Sequence, residues 1–332
     1  MTRKFDVVIG NPPYQEESVG ESTHSMPVYD KFMDAAYDIA VKVVLITPAR
    51  FLSNAGFTSK TWNQKMLADE HLKVVYFEPD SNRLFPGLSD PIKGGIAVTY
   101  RDSERKIGPI GHFTPHDELR SILRKVESLG PSSLIDLGIT NDRQLRFTDK
   151  MHKDHPEARS LMSKGNPNKL DANAFKRLPF LFHNEAPADG HDYVQVLGLF
   201  EKRRTIRWLR RDYVTGPPSL TSYKVALPEA NGSGSTTDFF GVELNGPTVL
   251  GPDTAVTSTF LTIGAFGTRD QAEALLKYLK SKFARAMLGI LKVTQHTAAH
   301  TWRHVPNQDF TSASDIDWSK SVPQIDEQLY AK

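Results

Sequence analysis

The chain of 332 residues lacks several features that would place it in common functional classes. It contains no cysteine, which excludes disulfides, zinc–thiolate sites and cysteine nucleophiles. No apolar run approaches membrane-spanning length and the N-terminus has no signal-like stretch, so we predict a cytoplasmic protein without a membrane partner. The net charge is only +2, from 41 basic and 39 acidic side chains, and by itself it does not indicate nucleic-acid binding.

The most informative segment is Asn11-Pro12-Pro13-Tyr14, which follows the strand-like apolar run Phe5–Gly10. Ligands of open α/β sheets bind where strands end. The Asn11 side-chain oxygen and the Pro12 carbonyl offer two acceptors for the hydrogens of an amino group conjugated to a ring. Such an amine is a poor nucleophile, and holding both hydrogens directs its lone pair at an electrophilic methyl group.

The two prolines restrict the backbone, so these acceptors are preorganised, and Tyr14 offers a flat face to a planar substrate. The alternative is that Pro12-Pro13 only ends the strand in a rigid turn.

Strand-like and helix-like segments alternate in the first third of the chain. In order, the pattern predicts strand Phe5–Ile9, helix Val28–Val41, strand Lys42–Ile46, helix Thr61–Asp69, and strands Lys73–Phe77 and Ile96–Tyr100. This alternation predicts a parallel sheet with covered faces.

The remainder of the chain has a mixed pattern. A helix near Pro115–Leu129 leads into it, and Asp270–Leu291 reads as one long helix that Thr268 caps. The short strands predicted between them are Tyr193–Leu199, Lys224–Leu227, Thr248–Leu250 and Thr259–Phe266. We therefore predict two domains, residues 1–114 of α/β class and residues 115–332 of α+β class.

One short segment, Glu201–Arg211, concentrates basic side chains around Trp208. Its members are Lys202, Arg203, Arg204, Arg207, Arg210 and Arg211. Guanidinium groups pair with phosphates and guanine edges, so the segment is a candidate DNA contact. Arg50, just after a predicted strand, is a further candidate for a phosphate or substrate contact. The alternatives are a solvated helical face for the segment and a surface ion pair for Arg50.

Three histidines, His296, His300 and His304, recur every four residues. Three imidazoles on one helical face can bind a metal ion. However, the helix signal is weak and no carboxylate lies among them, so DNA-backbone contact or ordinary surface chemistry is the preferred interpretation. No metal site is predicted.

Several segments together resemble a known family. Asp6–Gln15 (DVVIGNPPYQ) looks like the catalytic motif of amino-methylating methyltransferases, above all the N6-adenine DNA methyltransferases of restriction-modification systems. Further agreement in order and spacing comes from Val43–Leu52, Leu84-Phe85-Pro86-Gly87 and Gly94–Val98, and more weakly from Asp315–Ser319 and Ile325–Tyr330.

The resemblance implies a fold and a chemistry. The fold would be a partial doubly wound, methyltransferase-like sheet in residues 1–114, followed by a DNA target-recognition domain in residues 115–332. S-adenosylmethionine would be the cofactor and double-stranded DNA the substrate, with a restriction endonuclease as a further partner. Asn11 to Tyr14 would be catalytic, and Tyr14 and Phe85 would stack on an adenine flipped out of the duplex.

The chain departs from this family in one respect. Family members bind the cofactor through a glycine-rich strand-to-helix turn, which usually precedes the Asn-Pro-Pro-Tyr segment. Only ten residues precede it here, and Asn231–Ser235 and Leu134–Gly138 do not fit such a turn. The cofactor-binding residues are thus unknown, and we predict that a partner chain or an upstream segment supplies that half. The first strand would otherwise be an exposed apolar edge.

Two other functional classes remain open. The same tetrapeptide serves in enzymes that methylate protein glutamine or RNA guanine. Alternatively, the chain is a non-catalytic DNA-binding specificity subunit or a remnant that retains the fold. The size of the second region and the Phe85-Pro86 pair favour DNA as the substrate.

Overall fold

A computed structural model describes most of the chain. The described residues are 4–16, 26–54, 57–87, 91–92, 94–114, 116–140, 144–163, 165–230, 246–292 and 296–332. The loop Asn231–Ser235, considered above as a cofactor turn, therefore lies outside the described residues. The chain divides into two compact units, Met1–Arg120 and Ser121–Lys332, whereas the sequence analysis set the boundary at residues 114–115.

The first unit contains a four-stranded mixed sheet. Its elements are β1 (Phe5–Gly10), α1 (Tyr29–Ile39), β2 (Ala40–Pro48), a 3₁₀ turn (Ala49–Ser53), α2 (Lys60–Ala68), β3 (Leu72–Glu78), α3 (Ser81–Leu84) and β4 (Ile96–Asp102). The strand order is β1-β2-β4-β3. Every strand and helix predicted for this region is present, with boundaries shifted by one or two residues.

The prediction of an all-parallel sheet is wrong. Only β1 and β2 run parallel, with Val8 level with Val43, while β4 runs antiparallel to both of its neighbours. Helix α1 provides the crossover that a parallel pair needs. β3 and β4 are consecutive strands that pair antiparallel, and the connection between them contains the short helix α3.

In the described part of the chain, one face of this sheet packs on helices and the other does not. Met33 of α1 is fully buried against one face, and the sheet residues that point to that side are Val8, Val43, Leu45 and Ala97. On the opposite side of β1, Phe5, Val7 and Ile9 are 52%, 49% and 75% exposed. These three residues are called the β1 patch below. Within the described residues, β1 pairs only with β2, which agrees with the predicted exposed apolar edge.

The second unit is of mixed α and β structure. Its helices are α4 (Asp117–Leu129, whose first residues precede the unit boundary), α5 (Asp149–Asp154), α6 (Ala158–Leu161), α7 (Ala174–Arg177), α8 (Arg269–Lys280), α9 (Lys282–Leu291) and α10 (Val322–Ala331). Its strands are β5 (Ile139–Thr140), β6 (Arg146–Phe147), β7 (Tyr193–Phe200), β8 (Arg203–Arg210), β9 (Val214–Thr215), β10 (Tyr223–Pro228), β11 (Thr248–Leu250), β12 (Thr254–Val256) and β13 (Phe260–Phe266). They form sheets of order β11-β10-β13-β5, β12-β7-β8 and β6-β9.

Two apolar cores hold this unit together. The first packs α8, α9 and α10 on the sheet that contains β10 and β13, with Tyr278 and Trp302 fully buried. The second surrounds β7 and includes Val194, Val196 and Leu209. None of the helices in the described part of the chain is long and apolar enough to span a membrane.

The predicted single helix Asp270–Leu291 is wrong, because it breaks at Ser281 into α8 and α9. Ser281 has φ −62° and ψ 150°, and its hydroxyl accepts a hydrogen bond from the Ala284 amide. The cap predicted at Thr268 is confirmed, since its hydroxyl accepts from the Gln271 amide.

Candidate functional site

The strand directions bring three loops of the first unit to one edge of its sheet. β1 and β2 are parallel, and β3 has the same direction because both β2 and β3 run antiparallel to β4. The segments that follow these strands are Asn11–Tyr14, Ala49–Ser53 and Pro79–Phe85. They therefore leave the sheet at its carboxyl edge, where α/β sheets bind ligands.

The loop after β1 folds back against the start of α1. The Val28 amide donates to the Tyr14 carbonyl at 3.2 Å, and the Glu16 amide donates to the Met26 carbonyl at 2.9 Å. Asn11 is exposed and Tyr14 is half-buried. The loop thus presents the Asn11 amide to solvent, while the Tyr14 backbone is held by the Val28 amide.

Burial raises the pKa of Tyr14, and the neighbouring Asn11 side chain opposes this shift. The phenol is therefore neutral at physiological pH.

Arg50 and a pair of glycines form the next part of this edge. The Ala49 amide donates to the Gly95 carbonyl at 2.9 Å. Gly94 has φ +90°, and a Cβ there would lie 2.8 Å from Cγ of Arg50. Only glycine allows the half-buried Arg50 side chain to approach the backbone this closely. Whether Arg50 contacts a phosphate or the substrate stays a prediction.

Phe85 lies at the end of α3, on the loop that follows β3. Its amide donates to the Ser81 carbonyl at 2.9 Å, and its side chain is half-buried. Asp80 caps α3 by accepting from the Asn82 amide. The topology brings Tyr14 and Phe85 to the same edge of the sheet. Their role as two faces of a base pocket stays a prediction.

Sequence reasoning missed Glu78, a buried carboxylate at this edge. It accepts hydrogen bonds from the Tyr76 hydroxyl at 3.1 Å and from the Asp80 amide at 3.0 Å, and so fixes the turn into α3. The available signal was an acidic residue at the last position of an apolar strand.

The described residues do not form a site for S-adenosylmethionine. Such a site needs a glycine-rich turn and acidic strand ends beside the substrate loop. Beyond β1, where these would lie, the described part of the sheet has no further strand.

The basic segment forms β8, an outer strand, rather than the helical face considered as an alternative. Its last two arginines are engaged within the protein. Arg210 forms a bidentate pair with Asp212 at 2.8 and 2.7 Å, and Arg211 donates to the Val214 carbonyl. The Arg210 hydrogen bond lowers the pKa of Asp212.

The other basic residues of the segment fall into two groups. Arg204 lies over the ring of Phe260 and donates to the Gly246 carbonyl, and Arg207 lies over Phe200 and donates to Asn184. Lys202 and Arg203 are exposed at the turn that begins β8. The predicted DNA contact is thus strongest at the start of the strand.

The three histidines do not share a helix. The structure has only a short 3₁₀ turn, Ala299–Trp302, between His296 and His304. His296 lies 3.8 Å from Glu229, and His304 lies 3.6 Å from Glu127.

Comparison with known proteins bears on the N-terminal part of the chain. Residues 1–85 match the model of the Eco57I restriction-modification methylase family. An uncharacterized adenine-specific methylase of Mycoplasma pneumoniae is 32% identical over 96 residues, which are 28% of this chain. The matched region is 22% of that relative, so the chain spans about a fifth of its length.

Two solved structures align with most of the chain. One is the type IIG restriction endonuclease BpuSI, with 13% identity and a TM-score of 0.32, covering 92% of this chain and 44% of that one. The other is the type IIL restriction-modification enzyme MmeI in complex with DNA, with 8% identity and a TM-score of 0.31, covering 90% and 45%.

The match of residues 1–85 to the Eco57I restriction-modification methylase family agrees with the resemblance that the sequence motifs indicated.

Proposed function

We propose that this chain is the substrate-binding part of a site-specific DNA adenine N6-methyltransferase of a restriction-modification system. The observation that carries the proposal is the Asn11–Tyr14 loop at the carboxyl edge of the parallel strands β1 and β2. The match of residues 1–85 to restriction-modification methylases supports it.

In this proposal the chain's own residues position the base. An adenine flipped from double-stranded DNA enters at the carboxyl edge. The Asn11 side-chain oxygen and the Pro12 carbonyl accept the two hydrogens of its N6 amine, while Tyr14 and Phe85 pack on its faces. Lys202 and Arg203 at the start of β8 contact the DNA, as does Arg50.

S-adenosylmethionine supplies an electrophilic methyl group when bound, and we propose that a partner chain or an upstream segment holds it. The β1 patch supports this proposal, because an apolar strand edge in water is a template for pairing with another strand. A restriction endonuclease is a further proposed partner, and the cytoplasm is the proposed location.

A second candidate is a non-catalytic DNA-binding specificity subunit. The specific observation in its favour is that the described residues lack a cofactor site. Methylation of protein glutamine or of RNA guanine is the remaining alternative.

The experiment is expression in a host without adenine methylation, followed by mass spectrometry of its DNA and titration of the purified chain with S-adenosylmethionine. When the partner or segment that holds the cofactor is co-expressed, we expect N6-methyladenine with the wild type. We expect a reduction of at least about 100-fold with Asn11→Ala, the usual effect of losing one preorganised group. Asn173→Ala, an exposed asparagine of the second unit, is the matched control.

Each outcome has a definite meaning. Equal methylation by wild type and Asn11→Ala would refute the proposed role of the loop. DNA binding without cofactor binding or methylation, alone and with co-expressed partners, would select the specificity subunit. Methylated glutamine or RNA guanine with unmodified DNA would select the other substrates.

A further inference from the structure

The second unit contains a cavity of about 370 Å³ that lies outside the candidate site described above. Three helices, α4, α9 and α10, contribute to its lining, and residues 306–308 complete it. Most of the lining side chains are apolar, and a few are amides or amines. A volume of this size and a lining of this kind are typical of pockets that bind small molecules.

Helix α4 contributes an apolar wall that is incompletely packed. Ile122, Val126 and Leu129 have the spacing i, i+4 and i+7, which places them on one side of the helix. Ile122 and Val126 pack against the first apolar core of the unit, whereas Leu129 is 66% exposed. The apolar side of α4 thus extends beyond the core and leaves a large side chain in contact with water at the cavity.

Helices α9 and α10 contribute an aromatic wall. The Asp326 carboxylate of α10 accepts from the Phe283 amide at 3.1 Å and so holds the start of α9. Tyr330 lies one helical turn after Asp326, and its ring is nearly perpendicular to the Phe283 ring, with centroids 5.7 Å apart. Tyr330 is 48% exposed. Rings held in this way offer a surface for the edge or face of a further aromatic ring.

Hydrogen bonds hold the loop that completes the lining. The Pro306 carbonyl accepts from the buried Tyr278 hydroxyl at 2.7 Å. The Asn307 amide donates to the Ser132 carbonyl at 2.8 Å, and the Asn307 side-chain oxygen accepts from the Gln308 amide at 2.9 Å. The loop is therefore ordered before a ligand arrives, and a preformed cavity avoids the free-energy cost of ordering on binding.

The charged side chains in the lining are both basic, Lys125 and Lys332. The Lys332 Nζ bonds Oδ1 of Asp315 at 2.7 Å. Within the described part of the chain, the exposed Lys125 forms no ion pair. Lys125 and Leu129 are four residues apart on α4, so they are neighbours on the helix surface. Burial raises the pKa of Tyr330, whose hydroxyl therefore keeps its proton as a hydrogen-bond donor.

We propose that this cavity binds a flat aromatic ring that carries one anionic group. The ring contacts Leu129 and the perpendicular pair Phe283 and Tyr330, and the anion lies at the Lys125 ammonium. The described lining contains no acidic side chain that would repel it. Because four separate segments surround a small volume, a small molecule fits better than a partner helix, which needs an extended groove. The inference goes beyond the proposed function and does not depend on it.

The charge of the ligand is tested with two dyes that share a ring system. Anilinonaphthalene sulfonate is anionic, and phenylnaphthylamine lacks the sulfonate. Fluorescence titration of the full chain gives both dissociation constants. We expect Lys125→Gln to weaken binding of the sulfonate about fivefold, the upper value for an exposed ion pair, and to leave the neutral dye unaffected. Arg124→Gln is the matched control, because Arg124 is an exposed neighbour on α4 that does not line the cavity.

The apolar wall is tested with Leu129→Ala, and Leu161→Ala is the matched control. Both leucines are exposed and end a helix, but only Leu129 lines the cavity. We expect Leu129→Ala to weaken binding of both dyes about fourfold, as for one methylene group removed from an apolar contact. We expect Leu161→Ala to change neither. Partial unfolding would increase dye fluorescence, so a misfolded variant would not reproduce the expected loss.

Equal effects of Lys125→Gln and Arg124→Gln on the sulfonate would overturn the inference. Equally tight binding of the two dyes to the wild type would overturn it as well. If Leu129→Ala left both dissociation constants unchanged, the dyes would bind elsewhere, such as at the β1 patch, and the proposed site would be wrong. No DNA or methyl donor is present in these titrations, so their outcomes are independent of the proposed function.

Discussion

At the scale of single residues, Lys224 is the most unusual ionisable group. It is 1% exposed, and its Nζ donates to the carbonyls of Leu220, Ser222 and Gly251 at 3.1, 3.0 and 2.9 Å. Burial lowers its pKa to about 8. The side chain links β10 to the loop after β11 through these hydrogen bonds. Because the ammonium group is buried, its positive charge lowers the free energy of unfolding.

We predict a pH-dependent difference between the wild type and Lys224→Met. Between about pH 8 and 10.5, the unfolded chain keeps the lysine proton that the folded chain has released. Stability of the wild type relative to the variant therefore rises with pH in this window, by about 3 kcal/mol in total, and is flat below it. Urea unfolding of both proteins at pH 7 to 10.5 measures the difference in their free energies of unfolding. A difference that stays constant over this pH range would contradict the prediction.

Gly95 gives a second prediction at this scale. It has φ +78°, and a Cβ would lie 2.5 Å from the Glu78 carbonyl oxygen. Gly108 has φ +96° with no atom near the same position. Gly108→Ala should cost about 1–2 kcal/mol from backbone strain alone. Gly95→Ala should cost clearly more, because β3 must also move. If chemical denaturation shows the same loss of unfolding free energy for Gly95→Ala and Gly108→Ala, then β3 moves away from the added Cβ without an energetic cost.

Residues of the candidate site differ in how well the sequence specified them. Asn11 to Tyr14 were recognisable because the loop chemistry is local. The partners of Arg210 and Arg207 were not, because Asn184 is distant in sequence and Asp212 carries no signal that it binds Arg210. A cluster of charges in sequence does not reveal which side chains the fold engages internally.

At the scale of elements, the break between α8 and α9 was the main difference from expectation. No glycine or proline separates them, so the pattern of apolar residues continues through Ser281. The carboxylate of Asp326 in α10 accepts from the amides of Lys282 and Phe283 at 2.9 and 3.1 Å. A residue more than forty positions away thus accepts hydrogen bonds from two backbone amides at the start of α9. These bonds stabilise the break between the helices.

Ser281→Ala removes the side-chain cap of α9 and should lower the free energy of unfolding by about 1 kcal/mol. Ser128→Ala is the control, since its hydroxyl only bonds the Lys125 carbonyl within α4. Thermal unfolding of both variants measures the difference. A loss no larger than that of Ser128→Ala would mean that Asp326 alone caps the helix.

At the scale of the whole molecule, each unit has its own core, but the first sheet is covered on only one face in the described residues. The β1 patch exposes three large apolar side chains on a strand whose other edge is unpaired among those residues. A surface of this kind is a site of association with another strand.

We predict that Ile9→Lys reduces self-association of the isolated chain without lowering its stability, because the Ile9 side chain is exposed. Val8→Lys is the matched control on the same strand, and it should destabilise the fold because Val8 packs against the core. Light scattering over a concentration series and urea unfolding test both. Equal destabilisation by the two variants would show that Ile9 is covered in solution.

The sequence by itself determined the strand–helix order of the first unit, the Asn-Pro-Pro-Tyr loop and the resemblance of the N-terminal part to a methylase family. These depend on local propensity and on side chains that are adjacent in the chain. Only the tertiary structure decided the antiparallel position of β4, the break at Ser281 and the division of the β8 arginines into paired and exposed groups. Each of these depends on contacts between residues far apart in sequence, which no local pattern encodes.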